Sequence, residues 1–369
     1  MLTPDLLTFA DGTPVRTPDD WRRRRAELAA AILPLEYGGM PPAPAATRWE
    51  LVSTSWDPRI APPGVRYLSG NVRVEGGAAP FSFAMKVWLP AEPKDKAPCP
   101  CVLTGDDCWW WQTTDMVNEA LRRGFAVAAF NRCECARDIF GPRDDSKPEQ
   151  RAEGVYPLFP GRYGAVAAWA WGCHRAVDAL LQIPEIDPAR IAVTGHSRGG
   201  KTALWTGVTD KRFAMACSNE SGCGGAKLNH VDLPKSESID VISGPRRFHY
   251  WFCRHLRKYA GREMSMDFDQ HELIALIAPR LVCVGSATED EWAGPLGEWW
   301  SAKLASPAWE LYGKKGLVAD AWPAPETPQQ AGCVSYHLRT GKHFLTPYDW
   351  GRYMDFADRH GWHAAEVAK

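Results

Sequence analysis

No stretch of the 369 residues approaches the run of about 20 apolar side chains that a membrane-spanning helix needs. Neither charge is in excess: 43 Lys and Arg stand against 44 Asp and Glu, so the basic footprint of a nucleic-acid-binding surface is missing. The amino terminus, Met1-Leu2-Thr3-Pro4-Asp5 and then Trp21-Arg22-Arg23-Arg24-Arg25, lacks the apolar h-region of a secretory signal. This predicts a cytoplasmic protein, or a secreted one from which a signal has been removed. Neither internal repeats nor low-complexity tracts occur. The eleven cysteines are odd in number and lack the dense spacing of a disulfide scaffold. Cys99 and Cys101, like Cys133 and Cys135, are i,i+2 pairs read here as extended segments, tighter than the Cys-x-x-Cys of a zinc site. Most of the cysteines are expected to be small buried side chains in a reducing compartment. The chain therefore calls for no metal, cofactor, nucleic acid or membrane, and a monomer is expected.

What the chain does contain is strand and helix in alternation. A charged helix over about Asp20–Leu33 and a Pro-rich connector, Met40-Pro41-Pro42-Ala43-Pro44, precede two extended runs at Gly64–Val74 and Phe81–Leu89, read as an antiparallel hairpin. Strands are then expected at Cys99–Thr104, Phe125–Phe130, Arg190–Thr194, Phe213–Ser218, Arg280–Gly285 and Val334–Leu338. Helices are expected at Thr114–Arg123, Tyr163–Gln182, Arg198–Val208, Phe248–Tyr259, Gln270–Ile277, Gly294–Leu304 and Tyr348–His360. The pattern predicts an α/β fold: one α/β-hydrolase domain with a mostly parallel sheet of about eight strands, helices on both faces and an antiparallel amino-terminal hairpin. Residues 226–247 fit no regular element and are expected to form a loop or lid.

The segment Ile191-Ala192-Val193-Thr194-Gly195-His196-Ser197-Arg198-Gly199-Gly200-Lys201 is a β-branched strand running into Gly-x-Ser-x-Gly and then a helix. This is the pattern of a nucleophile elbow, which lifts a serine hydroxyl above the carboxyl edge of a sheet. Gly195 and Gly199 leave room where strand and helix nearly touch. Arg198 and Lys201 are unexpected there, because cations in the first turn oppose the helix dipole by roughly 0.3–1 kcal/mol each. Two surface cations paired with acids would account for them; so would two donors aimed at an acyl group over Ser197.

In this fold the nucleophile is followed by the acid and then the base. His343, on the loop Gly341-Lys342-His343-Phe344 beyond the last strand, is the candidate base. His337 falls inside a strand pattern, and His360 and His363 follow the last helix. Two acids compete: Glu220, opening the glycine-rich Glu220-Ser221-Gly222-Cys223-Gly224-Gly225, and Asp290, after the penultimate strand. The loser is expected to be a solvated carboxylate or a partner of Arg198 or Lys201. The Arg198 backbone N–H should supply one oxyanion donor; the loop Gly105-Asp106-Asp107-Cys108-Trp109, where the second usually lies, is unlike the His-Gly-Gly-Gly type, so the Arg198 side chain is expected to supply the other.

Gly195-His196-Ser197-Arg198-Gly199-Gly200-Lys201 resembles the Gly-x-Ser-Arg-x-Gly-Lys motif of the glucuronoyl esterases, carbohydrate esterase family fifteen. Glu220–Gly225, Trp169-x-Trp171-Gly172-x-x-Arg175-x-x-Asp178, Phe268-Asp269-Gln270-His271, Ala278-Pro279-Arg280 and His343-x-Leu345-Thr346-Pro347-Tyr348-Asp349-Trp350 extend the resemblance from about Arg22 to His360. The resemblance implies metal-free cleavage of esters between 4-O-methyl-glucuronic acid of xylan and an alcohol of lignin. It implies Ser197 as nucleophile, His343 as base, Glu220 as acid with Asp290 as alternative, and Arg198 as oxyanion residue. Lys201 and Glu237 would contact sugar hydroxyls, and Trp292 would line the uronate pocket. Fungal members carry bridged cysteines beside the serine and the histidine; His196 and Phe344 stand there instead, which places this chain nearer the bacterial branch. Two other functions remain open: a less selective carboxylesterase such as an acetyl xylan esterase, and a non-catalytic carbohydrate-binding protein, to which the eighteen tryptophans would lend stacking platforms.

Overall fold

The computed structural model describes residues 3–54, 64–91, 97–109, 111–139 and 152–362. Nine strands form one sheet: β1 (Ala46–Ser53), β2 (Arg66–Glu75), β3 (Phe81–Leu89), β4 (Cys99–Thr104), β5 (Ala126–Phe130), β6 (Ile186–His196), β7 (Met215–Asn219), β8 (Leu281–Ala287) and β9 (Val334–Arg339). Their spatial order is β1-β2-β3-β5-β4-β6-β7-β8-β9. The first three and the β3–β5 pair are antiparallel, and every pair from β5 to β9 is parallel. Strands β4, β5, β7, β8 and β9 are buried at every position, which requires cover on both faces. Most of the buried apolar side chains form a single cluster running from Leu6 to Trp362.

The expected hairpin is thus a three-stranded meander. Strand β1 escaped the sequence reading because it is an exposed edge whose Arg48 and Glu50 break the apolar signal; they pair with Glu75 and Arg73 of β2 at 3.0 and 2.9 Å.

The helices are α1 (Pro18–Glu36), α2 (Thr114–Arg122), α3 (Ala165–Leu180), α4 (Arg198–Thr209), α5 (Ile239–Ile242), α6 (Gln270–Ala275), α7 (Pro295–Ala305), α8 (Pro307–Glu310) and α9 (Pro347–Arg359). Helix α1 starts earlier than expected, because Thr17 and Asp20 form a reciprocal capping box around Pro18. The expected helix Phe248–Tyr259 is instead two 3₁₀ turns, His249–Trp251 and Arg254–Tyr259. Between them Phe252 is extended and stacks on Tyr37, while Cys253 N–H donates to the Glu36 carbonyl at 2.8 Å; this docking onto the end of α1 overrides helix propensity. Residues 226–247 are largely irregular apart from the short α5. Cys133 and Cys135 are not on an extended segment: Asn131 Oδ1 accepts from Cys133 N–H at 2.8 Å and starts a 3₁₀ turn, Arg132–Glu134. All eleven cysteines are free thiols, and nine are buried.

Candidate active site

The parallel strands all end on one edge of the sheet, so the residues just beyond β4, β6, β7, β8 and β9 meet there. Ser197 joins β6 to α4 in a strained conformation (φ 58°, ψ −121°), and its N–H donates to the Asn219 carbonyl at 2.8 Å. The flanking glycines are sterically required. A Cβ on Gly195 would stand 2.2 Å from the Gly199 carbonyl oxygen, and one on Gly199 would stand 2.2 Å from Asp106 Oδ1. Helix α4 opens with two glycines and two cations and has no side-chain cap. Propensity therefore does not start it; burial of every residue from Gly199 to Val208 does.

Asp106, beyond β4, underpins the elbow. Its buried carboxylate accepts from His196 N–H at 2.8 Å and pairs with buried Arg132. His196 is fully buried, with Nδ1 2.7 Å from Asn219 Oδ1; an amide oxygen only accepts, so Nδ1 carries the proton. Burial, and then the neighbouring His343, drive its pKa down to about 3, so the ring is neutral.

His343 lies at the mouth of the site, its ring 4.4 Å from that of His196. Its Nδ1 is 2.6 Å from Asp290 Oδ2 and 3.3 Å from Glu220 Oε2. Burial alone would lower its pKa; the bonds to Asp290 and Glu220 outweigh that and push it up to about 9. Neither acid is the solvated spare that the sequence suggested, and neither pairs with Arg198 or Lys201 in the contacts described. Burial likewise favours neutral Asp290, but the His343 hydrogen bond wins and holds it below the usual carboxylate range. Glu220 differs: burial pushes it up to about 8 despite His343 and Arg339. Its two oxygens are shared among Arg339 (Oε1, 2.6 Å), Phe344 N–H (Oε2, 3.1 Å) and His343.

Arg198 opens α4, so its backbone N–H has no acceptor within the helix. Its guanidinium is clamped: it donates to Asp138 at 3.0 Å and lies over the rings of Trp251, Phe248 and Trp109 at 4.4, 5.1 and 5.3 Å. Lys201 is 2% exposed, and its ammonium donates to the Ser221 carbonyl and, at 3.1 Å, to Glu237. Two of its three N–H groups are thereby engaged. The Glu237 carboxylate also accepts from Cys223 N–H at 2.9 Å, and Glu237 N–H donates to the Trp292 carbonyl at 2.8 Å. Trp292, two residues beyond Asp290, is 37% exposed and faces Arg247 at 5.9 Å. The structure thus joins Lys201, Glu237 and Trp292 in one wall beside the serine.

Several contributors were not foreseen. Arg339 donates to Glu220, to Asp349 at 2.9 Å, and to the carbonyls of Lys342 (2.7 Å) and Phe344, and so fixes the loop that carries His343. Buried Glu298 accepts from Ser221 and Gly222 N–H at 2.8 and 3.0 Å and from Ser286 Oγ at 2.6 Å, holding the turn that follows Glu220. Trp111 meets both His196 and Phe344 edge-on at 4.7 and 4.8 Å. A carboxylate on a helix or an arginine in a strand carries no local motif, so only the fold reveals them. His337, as its strand pattern implied, is buried and bonded to Asp349 at 2.9 Å; His360 ends α9; His363 lies outside the described residues. Among the described residues one group has metal-ligand spacing, His196–Glu220–His343, and all three of its members belong to this hydrogen-bonded site.

Comparison with known proteins gives one consistent result. The profile of a family described as "Glucuronyl esterase, fungi" matches residues 72–313. A carbohydrate esterase of an unknown prokaryotic organism is 32% identical, over 97% of this chain and 89% of its own length. The 4-O-methyl-glucuronoyl methylesterase 1 of Wolfiporia cocos is 29% identical over 84% of this chain and 72% of its own. The solved glucuronoyl esterase of Solibacter usitatus superposes with a TM-score of 0.84 at 31% identity, covering 98% of both chains.

Proposed function

The chain belongs to the glucuronoyl esterase family, and from that premise we propose that it hydrolyses esters of glucuronic acid through an acyl-enzyme on Ser197. The observation that carries the reading is the link between two sets of residues. Trp292 follows Asp290 on one loop, and its carbonyl receives the N–H of Glu237, whose carboxylate holds Lys201 one turn beyond Ser197.

In the proposed cycle the uronate carbonyl stands over Ser197. Neutral His343 takes the serine proton as the oxygen attacks, and Asp290 orients the ring and stabilises the imidazolium. The oxyanion is met by the Arg198 backbone N–H, with the Arg198 guanidinium as the charged second donor. Clamping by Asp138 and the aromatic rings fixes that guanidinium in advance, so little reorganisation accompanies the reaction. His343 then protonates the departing alcohol, and a water activated by the same ring hydrolyses the acyl-enzyme. Lys201 reaches the sugar hydroxyls with its remaining N–H, Glu237 accepts from them, and Trp292 stacks on the ring. Esters that join glucuronoxylan to lignin alcohols carry the uronate acyl half that these polar residues fit.

The test is a comparison of benzyl glucuronate with p-nitrophenyl acetate in the wild type and Lys201→Ala. A loss of kcat/KM confined mainly to the uronate ester supports the reading. Equal losses on both substrates would point to a carboxylesterase without sugar recognition.

A further inference from the structure

Of the eleven cysteines only Cys108 and Cys133 are not buried. They lie 25 positions apart in sequence, yet the two thiols are close enough to act on each other's ionisation. The backbone explains why. Asp106 and Asn131 form an isolated antiparallel bridge, and Asp107 N–H donates to the Phe130 carbonyl at 3.3 Å. The Gly105 carbonyl is approached from both sides, by Arg132 N–H at 3.0 Å and by Cys108 Sγ at 3.8 Å. One loop thus folds over the first turn of the other and places the two sulfurs together.

The same two segments hold the elbow. Between the cysteines' own loops, Asp106 supports His196 and pairs with Arg132, and Asp138, a few residues beyond Cys133, holds Arg198. Among the described residues no third Cys, His, Asp or Glu completes a metal-ligand group around the pair. Two adjacent, reachable thiols without further ligands are suited to oxidation rather than to zinc.

We propose that Cys108 and Cys133 form a dithiol–disulfide site that closes under a small-molecule disulfide and cross-links the two loops beneath the nucleophile elbow. Cys133 is the attacking sulfur: the Cys108 hydrogen bond, and then Arg132, hold it down to about 7, while Cys108 is shifted upward. Its thiolate attacks one sulfur of the oxidant, forming a mixed disulfide and releasing one thiolate. Cys108 then loses its proton and attacks Cys133 Sγ, releasing the second. Two protein thiols are oxidised, one disulfide oxidant is reduced to two thiols, and the two protein protons end on those thiols. The bridge sits on different loops from the one the fungal members make, and serves the same elbow.

The test treats the folded protein with oxidised glutathione, counts free thiols by intact mass and maps the linkage by peptide mass spectrometry. Loss of two hydrogen atoms with a Cys108–Cys133 peptide, and a rise in thermal midpoint on the order of 5 °C reversed by dithiothreitol, are expected. Cys133→Ser should abolish both the mass change and the rise. Cys108→Ser should stop at a stable glutathione adduct on Cys133. A wild type that accumulates the same adduct without closing, or that remains fully reduced while a small alkylating agent labels both cysteines, would overturn the proposal.

Discussion

Asp290 Oδ2 approaches Nδ1 of His343 to 2.6 Å, closer than the 3.3 Å of Glu220 Oε2 to the same nitrogen. The closer acid is held below its usual range and the more distant one is pushed up to about 8, so the two are inequivalent. In the proposed cycle Asp290 is accordingly the acid that orients the base, and Glu220, bound by Arg339, backs it.

From this inequality, Asp290→Asn should lower kcat by at least about 100-fold, and Glu220→Gln by roughly 10-fold. Steady-state kinetics on one uronate ester distinguish them. The reverse order would make Glu220 the acid.

The same pair sets the pH profile. A raised His343 value means that the neutral ring, which is the competent base, gains population as pH rises toward about 9. The kcat/KM of the wild type should climb on the alkaline side of neutrality. Asp290→Asn removes the largest upward influence, so its ascending limb should move to lower pH. A limb that stays in place would separate the profile from His343.

Asp106 is a structural test of the elbow. Replacing it by Ala leaves the buried Arg132 guanidinium with the more distant Asp138 carboxylate at 3.9 Å and removes the acceptor of His196 N–H, which should destabilise the protein by about 3 kcal/mol. Urea unfolding of Asp106→Ala beside the wild type measures it.

Acid stability has a definite sign at His174. Burial lowers its pKa to about 4 from 6.5. A depressed folded value gives a contribution present above the unfolded pKa and lost as pH falls through the window from 6.5 to 4. Each pH unit inside that window costs roughly 1.4 kcal/mol. The buried carboxyls Glu36 and Glu298, raised from 4.5 to about 8 and 7, act in the opposite direction, with stability lost as pH rises from 4.5 up to those values. The informative quantity is therefore the difference between wild type and His174→Gln. Urea midpoints from pH 7 to 4 should fall less steeply in the variant.

Much of this site was legible in the chain because an elbow, a Gly-led histidine loop and an Arg–Lys pair after the serine are local patterns. The parallel pairing from β4 to β9 followed from the alternation of strand and helix. What escaped depends on contacts distant in sequence. Strand β1 is defined by its antiparallel backbone pairing with β2, and the turns around Phe252 by docking onto Tyr37. Whether Glu220 or Asp290 serves His343 could not be read from either loop, because both loops end on the same sheet edge. Arg339, paired with Glu220 from a strand distant in sequence, is the contact that favours Asp290 in the proposed cycle.

The most direct measurement is the hydrolysis of benzyl glucuronate by wild type and Ser197→Ala, alongside labelling of Ser197 by a fluorophosphonate. The account predicts turnover and a labelled Ser197 peptide in the wild type. The variant should give neither and keep the same thermal midpoint. Turnover retained by a folded Ser197→Ala would contradict it.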